Sequence, residues 1–285
     1  MKRVSAFFNK LRWLIHNPAF QKNPLRVAWR VLIWEGAKLF RWEMPFVFDE
    51  TFAVRLQPGE GVSRLTFYFG NSEPDLFAFY DSFLKKGMVA LDVGANIGLH
   101  TLFMAKRVAP VGQVLAFEPS PKNFSRLKEH VEKNHLENVR IFPLAVGDRR
   151  GTGFFHENLN DSSRSHFSDG GPGLAIEIVR LDDICRSEGV RQIDFLKMDV
   201  EGFEMRALEG AEPLFSAGSC DVLQIELDPN NLARQASQQN KVASWLVDRG
   251  YRFVVWDSAA QKFKPSRVEN GCSYNSFFVS PNFRI

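Results

Sequence analysis

Cysteine is scarce in this 285-residue chain. Cys185, Cys220 and Cys272 are odd in number and too scattered to frame a zinc site or a disulfide set, which points to a reducing compartment and to no structural metal. No window reaches the roughly 20 apolar residues a membrane-crossing helix needs. Asn9, Lys10 and Arg12 interrupt the start of the chain, so it does not read as a secretory leader, and a cytoplasmic protein is the expectation. No repeat of fixed period is present. Acidic residues are almost missing from residues 1 to 45, where Glu35 and Glu43 face nine Lys and Arg. That segment carries +7 against a total of +3, leaving −4 for the remainder. It also holds four of the six tryptophans, Trp13, Trp29, Trp34 and Trp42, which sets its composition apart from the rest of the chain.

What is present is enough apolar sequence, 45 % of residues, for a sizeable core. Residues 25 to 42 fit an amphipathic helix with Leu25, Ala28, Trp29, Leu32, Leu39 and Phe40 on one side and Arg26, Arg30, Lys38 and Arg41 toward the other. Pro18, Pro24 and Pro45 bracket it. Then come F-V-F and F-A-V-R-L, a turn at Pro58 to Gly61 and R-L-T-F-Y-F, expected as a hairpin leading into the main domain.

From Met88 strand and helix patterns alternate. Strands are predicted at Val89 to Val93, Gln113 to Glu118, Val139 to Ala145, Ile193 to Asp199 and Asp221 to Glu226. Helices are predicted at Leu99 to Val108, Pro121 to Asn134, Phe203 to Phe215 and Asn240 to Arg249. Such alternation implies a parallel sheet covered on both faces, and the Y-R-F-V-V-W and Y-N-S-F-F-V segments add an antiparallel pair at the end. The expected organisation is a basic helical extension at 1–45, a hairpin and lead-in helix at 46–87, and a ligand-binding domain at 88–285. His156 to Gly173 is polar and rich in Gly and Ser, placed where a substrate lid or a solvated linker could lie.

The first strand runs into D-V-G-A-N-I-G. Gly94 and Gly98 allow positive φ and close approach to a ligand at the strand-to-helix turn, where doubly wound sheets bind cofactors. A plain tight turn is the simpler reading. The dinucleotide fingerprint Gly-x-Gly-x-x-Gly fails, because Asn96 and Leu99 stand at its second and third glycines. Glu118 ends the second strand, where a carboxylate can accept from two ribose hydroxyls. Either NAD or S-adenosylmethionine would satisfy it. Asp92 separates them: an anion beside the turn repels a pyrophosphate and suits the ammonium and sulfonium of S-adenosylmethionine.

L-D-V-G-A-N-I-G, F-E-P-S-P, L-A-V-G-D, R-L-D-D-I, I-D-F-L-K-M-D-V-E-G-F-E and Q-I-E-L, in this order over residues 88 to about 228, resemble the FkbM family of S-adenosylmethionine-dependent methyltransferases. The K-M-D-V-E-G-F-E block is the most specific part. The resemblance implies a Rossmann-like, mostly parallel seven-stranded sheet and methyl transfer to a hydroxyl of a sugar, glycan or secondary metabolite. It places Asp92, Gly94, Ala95, Asn96 and Gly98 at the methionine end of the cofactor, Glu118 at the ribose, and Ala145, Val146 and Asp148 at the adenine. It also puts the fourth strand between the first and fifth, so that Asp199 and Glu226 approach the transferred methyl.

A hydroxyl nucleophile needs a base, and Asp199 is the first candidate, with Glu226 next. Asp199 could instead cap the helix starting near Gly202, with Glu201 and Glu204 complementing its dipole. His100 reads as a packing or capping residue more readily than a ligand contact. Asp182 and Asp183 are expected to begin a short helix before the fourth strand. Residues 1 to 42 are expected to dock on an anionic surface, most simply the inner face of a membrane, unless their apolar side packs against the catalytic domain. A catalytically silent adaptor using that segment is the competing functional reading; a nucleic-acid partner is not expected.

Overall fold

The computed structural model describes residues 15–71, 73–156, 166–168, 173–200, 202–227, 241–267 and 275–285. The described residues fall into two compact units, one ending at Pro74 and one starting at Asp75.

The first unit begins with α1 (Pro18–Lys22) and α2 (Pro24–Phe40). Asn23 caps α2 by accepting from the Arg26 amide at 3.1 Å, and Pro24 stands at the first helical position, where its missing N–H costs nothing. Strands β1 (Met44–Phe48) and β2 (Phe52–Leu56) form the antiparallel hairpin, in register from Met44 opposite Leu56 to Phe48 opposite Phe52. R-L-T-F-Y-F departs from the predicted extended reading, because it lies in helix α3 (Gly61–Phe69). Its alternation mimics a strand, yet the buried residues Ser63, Thr66 and Phe67 recur at helical spacing.

Helix α2 keeps the expected apolar side together and turns it outward. Val27, Trp34 and Ala37 are buried, with Trp34 stacked on Phe67 at 5.5 Å. Arg30, on the side away from the apolar stripe, lies inward: its guanidinium covers Phe46 and Phe67 at 5.3 and 5.8 Å and donates to the Tyr68 carbonyl. The side carrying Leu25, Trp29, Leu32 and Leu39 is exposed.

The second unit opens with α4 (Pro74–Phe83) and alternates through β3 (Val89–Val93), α5 (Leu99–Val108), β4 (Gln113–Phe117), α6 (Pro121–Lys133) and β5 (Val139–Phe142). The strand predicted to reach Ala145 stops at Phe142, since Pro143 has no N–H to continue a ladder. β6 (Ala145–Val146) joins β7 (Gly151–His156), β8 (His166–Ser168) and β9 (Leu174–Val179) in a separate sheet of order β6-β9-β7-β8. Much of the polar 156–173 segment lies outside the described residues, but β7 and β8 pair His156 opposite His166. After α7 (Leu181–Ser187), which carries Asp182 and Asp183 as expected, come β10 (Ile193–Met198), α8 (Glu204–Glu209), α9 (Glu212–Ser216) and β11 (Cys220–Glu226). The single helix predicted over 203–215 is thus two, separated at Gly210 and Ala211. A helical segment at 241–247 precedes β12 (Arg252–Asp257), β13 (Lys262–Pro265) and β14 (Asn275–Val279).

The main sheet has eight strands in the order β13-β12-β14-β11-β10-β3-β4-β5, one more than the seven expected because β13 adds a hairpin edge. From β5 to β11 neighbouring strands are parallel; β14, β12 and β13 pair antiparallel. The chain moves outward from β3 to β5 and then returns to the other side of β3 at β10. This reversal opens a crevice at the carboxyl ends of β3 and β10. Leu91, Phe117, Leu196 and Leu223, all buried, anchor one core cluster beneath it.

Candidate active site

Every polar group singled out on the first, second, fourth and fifth predicted strands sits at the carboxyl end of β3, β4, β10 or β11. The turn after β3 has positive φ at Gly94, Asn96 and Gly98. Close approach explains both glycines, but the neighbour is protein. A Cβ on Gly94 would overlap the Asp199 carbonyl, and one on Gly98 would come within 2.5 Å of Leu127 Cδ1. The glycines let the end of β10 and helix α6 close against the turn.

The turn also uses its own amides. Gly94 and Ala95 both donate to the Phe117 carbonyl, at 3.0 and 2.9 Å, and Gly98 donates to Ala95. The Asn96 amide donates to Glu118 Oε2 and the Ile97 amide to Asn96 Oδ1, each at 2.8 Å. Five consecutive N–H groups are therefore spent inside the fold. A pyrophosphate site at such a turn depends on amides that point outward.

Glu118 joins the turn to β4. Its two oxygens accept from the amides of Asn96 and Ser120, at 2.8 and 2.9 Å. Burial pushes its carboxyl up to about 7, against the lowering effect of those amides. The Asn123 side chain is a third donor to it, and a carboxylate has about four acceptor positions, so capacity remains for a ribose hydroxyl. His130 supports the same turn from α6, with Nδ1 2.8 Å from the Ile97 carbonyl. Sequence reasoning missed it, and a lone His in a predicted helix gives no signal for such a role.

Lys197 is the larger omission. It sits on β10 directly opposite Asp92 on β3 and Gln224 on β11, so the three make a polar row across adjacent parallel strands. All three are buried. The Lys197 ammonium is 3.5 Å from Asp92 Oδ1 and 3.4 Å from Asp199 Oδ2, bridging two expected site residues. Asp92 Oδ2 accepts from Thr101 Oγ1 at 2.6 Å, while Oδ1 has the ammonium as its charge partner and no hydrogen-bond donor at closer range. The signal in the sequence was a lysine inside the apolar I-D-F-L-K-M strand. Such a residue is seldom buried unless paired.

Asp199 follows β10 and is only partly exposed, at 28 % of its side chain. The capping reading of Asp199 fails: α8 starts at Glu204 after Phe203, with no side-chain cap. Glu204 itself is buried and accepts from the Gly202 amide at 2.9 Å. Burial pushes its carboxyl up to about 7, with the nearby Asp199 charge adding in the same direction. Met198 is in register with Ile225, which sets Asp199 and Glu226 at the same level of neighbouring strands. Glu201 lies outside the described residues. His100 packs against Phe77 with ring centroids 4.9 Å apart and meets the Tyr80 hydroxyl at 3.2 Å, so it belongs to an aromatic cluster. Ala145 and Val146 are buried in the small sheet, and Asp148 pairs with Arg149 at 3.3 Å.

A doubly wound sheet with an acidic residue at the end of its second strand, and a glycine turn whose amides are spent inside the fold, is an arrangement that S-adenosylmethionine-dependent methyltransferases can use. Residues 92–253 match the family profile of the methyltransferase FkbM domain. The chain belongs to the FkbM methyltransferase family, whose cofactor is S-adenosylmethionine. It is 31% identical over 148 residues to the 2-O-methyltransferase NoeI of Sinorhizobium fredii, covering 45% of this chain and 59% of that protein. It is 31% identical over 161 residues to the 31-O-demethyl-FK506 methyltransferase FkbM of Streptomyces tacrolimicus, covering 45% and 61%. The hexuronic acid methyltransferase AglP of Haloferax volcanii is 26% identical over 154 residues, with 53% and 62% covered. The matched region thus spans about three fifths of each of these relatives.

Proposed function

We propose that this chain methylates a hydroxyl oxygen of a sugar, glycan or other metabolite, using the crevice at the carboxyl ends of β3, β4, β10 and β11. The observation that carries the reading is the turn from Gly94 to Gly98, whose five amides are satisfied internally while Glu118 closes its far side. That arrangement disfavours a phosphate-bearing cofactor and leaves a carboxylate for a ribose hydroxyl. S-adenosylmethionine, when bound, supplies a methyl group on a cationic sulfur.

The remaining work falls to this chain's side chains. Glu118 accepts from a ribose hydroxyl, and Asn96 holds the turn that flanks it. Asp92, Asp199 and Glu226 outweigh the ammonium of Lys197 and favour a cationic ligand by their summed field. Asp92 acts through its charge from beneath the turn, since it is fully buried. Asp199 takes up the acceptor's hydroxyl proton, and Glu226 on the neighbouring strand orients that hydroxyl. Lys197 positions Asp199 by the 3.4 Å contact. The backbone of Ala145 and Val146, with Asp148, borders the adenine, and residues 88–285 form the catalytic domain. Hydroxyl and sugar acceptors are supported by the relatives' names, 2-O-methyltransferase and hexuronic acid methyltransferase.

The test is transfer of labelled methyl from S-adenosylmethionine into glycan and metabolite extracts, followed by mild base. A methyl ether keeps its label and a methyl ester loses it. Label that is lost to base, or label absent although the cofactor binds, overturns the O-methylation of a hydroxyl.

A further inference from the structure

We propose that the outward face of α2 is a docking surface for an anionic lipid bilayer, independent of the chemistry assigned to the second unit. Leu25, Trp29, Leu32, Leu39, Phe40 and Trp42 are each between 65% and 83% exposed. Leu25, Trp29, Leu32 and Leu39 recur at intervals of four, three and seven residues and, with Phe40 beside them, form one stripe opposite the buried Val27, Trp34 and Ala37. A continuous apolar face of this kind on a soluble surface marks an interaction site more often than chance exposure does. Its composition is that of an interfacial helix, with aliphatic side chains to enter the acyl boundary and two indoles able to rest at the headgroup level.

Charge around the stripe selects the occupant. Lys22, Arg26 and Arg41 are exposed and have no ion pair among the described residues. The nearby carboxylates are already engaged, Glu35 by Lys38 at 2.9 Å and Glu43 by Arg55 at 3.1 Å. The rim is therefore cationic without a compensating acid. A second copy docking through the same face would bring two cationic rims together, whereas an anionic leaflet meets both the stripe and the rim. Rotation of 100° per residue sets Arg26 on one flank of the stripe, so this basic group reaches the lipid plane along that edge.

The experiment is sedimentation of the full chain with vesicles of phosphatidylcholine containing about a third phosphatidylserine, against vesicles of phosphatidylcholine alone. The wild type is expected to pellet with the anionic vesicles, less so as salt is raised. Trp29→Ser combined with Leu32→Ser should lower the partition coefficient by about tenfold or more. Arg26→Gln should lower it about fivefold. Leu25→Ser with Leu39→Ser is a second pair on the same face, should either substitution in the first prove hard to fold. Equal binding to neutral and anionic vesicles overturns the charge selection, and variants that pellet like the wild type overturn the assignment to this face. No vesicle binding, with a dimer in analytical ultracentrifugation that Trp29→Ser and Leu32→Ser disperse, shows that the face takes a second copy instead.

Discussion

Replacing Lys197 by Met keeps most of the side-chain volume and removes the ammonium. Asp92 is then left fully buried with the Thr101 hydroxyl, 2.6 Å from Oδ2, as its remaining partner, while Oδ1 faces no donor. Removing one member of a buried ion pair typically costs about 3 to 5 kcal/mol, because the surviving charge has lost both water and its counter-charge. The exposed end of the contact adds little, since Asp199 keeps access to solvent. Whole-domain stabilities run from about 5 to 15 kcal/mol, so the loss should be a large part of the total. Asp92→Asn in the same chain removes the orphaned charge, and the double variant should recover at least about 1 kcal/mol relative to the sum of the single losses. Urea unfolding followed by circular dichroism gives the three values, and amide exchange in β3 and β10 reports whether the loss is centred on this pair of strands. A Lys197→Met loss below about 1 kcal/mol, additive with Asp92→Asn, would refute the view that this bridge holds the two strand ends in place.

Asp199→Asn should leave cofactor affinity close to wild type and lower turnover by about 10² to 10⁴, read from single-turnover methyl transfer; near-normal turnover would pass the role to Glu226. Gly94→Ala combines positive φ with a collision against the Asp199 carbonyl and should destabilise the second unit by more than about 3 kcal/mol in thermal or urea melts. Stability should also fall as pH rises. Burial raises Glu118 and Glu204 from 4.5 to about 7, so their contribution is fully present below about 4.5 and is lost as pH climbs through about 7, by roughly 3 kcal/mol for each group. Urea midpoints of the cofactor-free chain at acidic and alkaline pH check this, and Glu204→Gln should flatten the dependence.

The strands that frame the crevice were legible because each is a short apolar run followed by Gly, Asp or Glu, and parallel strands buried on both faces must look like that. The polar contacts beneath were not. Lys197 and Asp92 lie 105 residues apart in the chain and meet only because β10 is laid beside β3. Gly94 and Gly98 were singled out for positive φ and close approach, but that the Asp199 carbonyl and Leu127 occupy the space a Cβ would fill was not legible. Periodicity alone could not say which face of α2 is inward, because its Trp34 and Arg30 face aromatic rings while the more regular apolar stripe is left outside. R-L-T-F-Y-F failed for the related reason that six residues can satisfy both periods.

The most direct test is calorimetric titration of S-adenosylmethionine into the wild type and into Glu118→Gln, with NAD as the comparison ligand. Glu118→Gln keeps the shape of the side chain while removing the charged acceptor at the end of β4. The expected result is saturable binding of S-adenosylmethionine, weakened about ten- to a hundredfold by the substitution, and no binding of NAD. Binding of NAD in preference to S-adenosylmethionine, or an unchanged affinity in a folded Glu118→Gln chain, would contradict the assignment of this crevice.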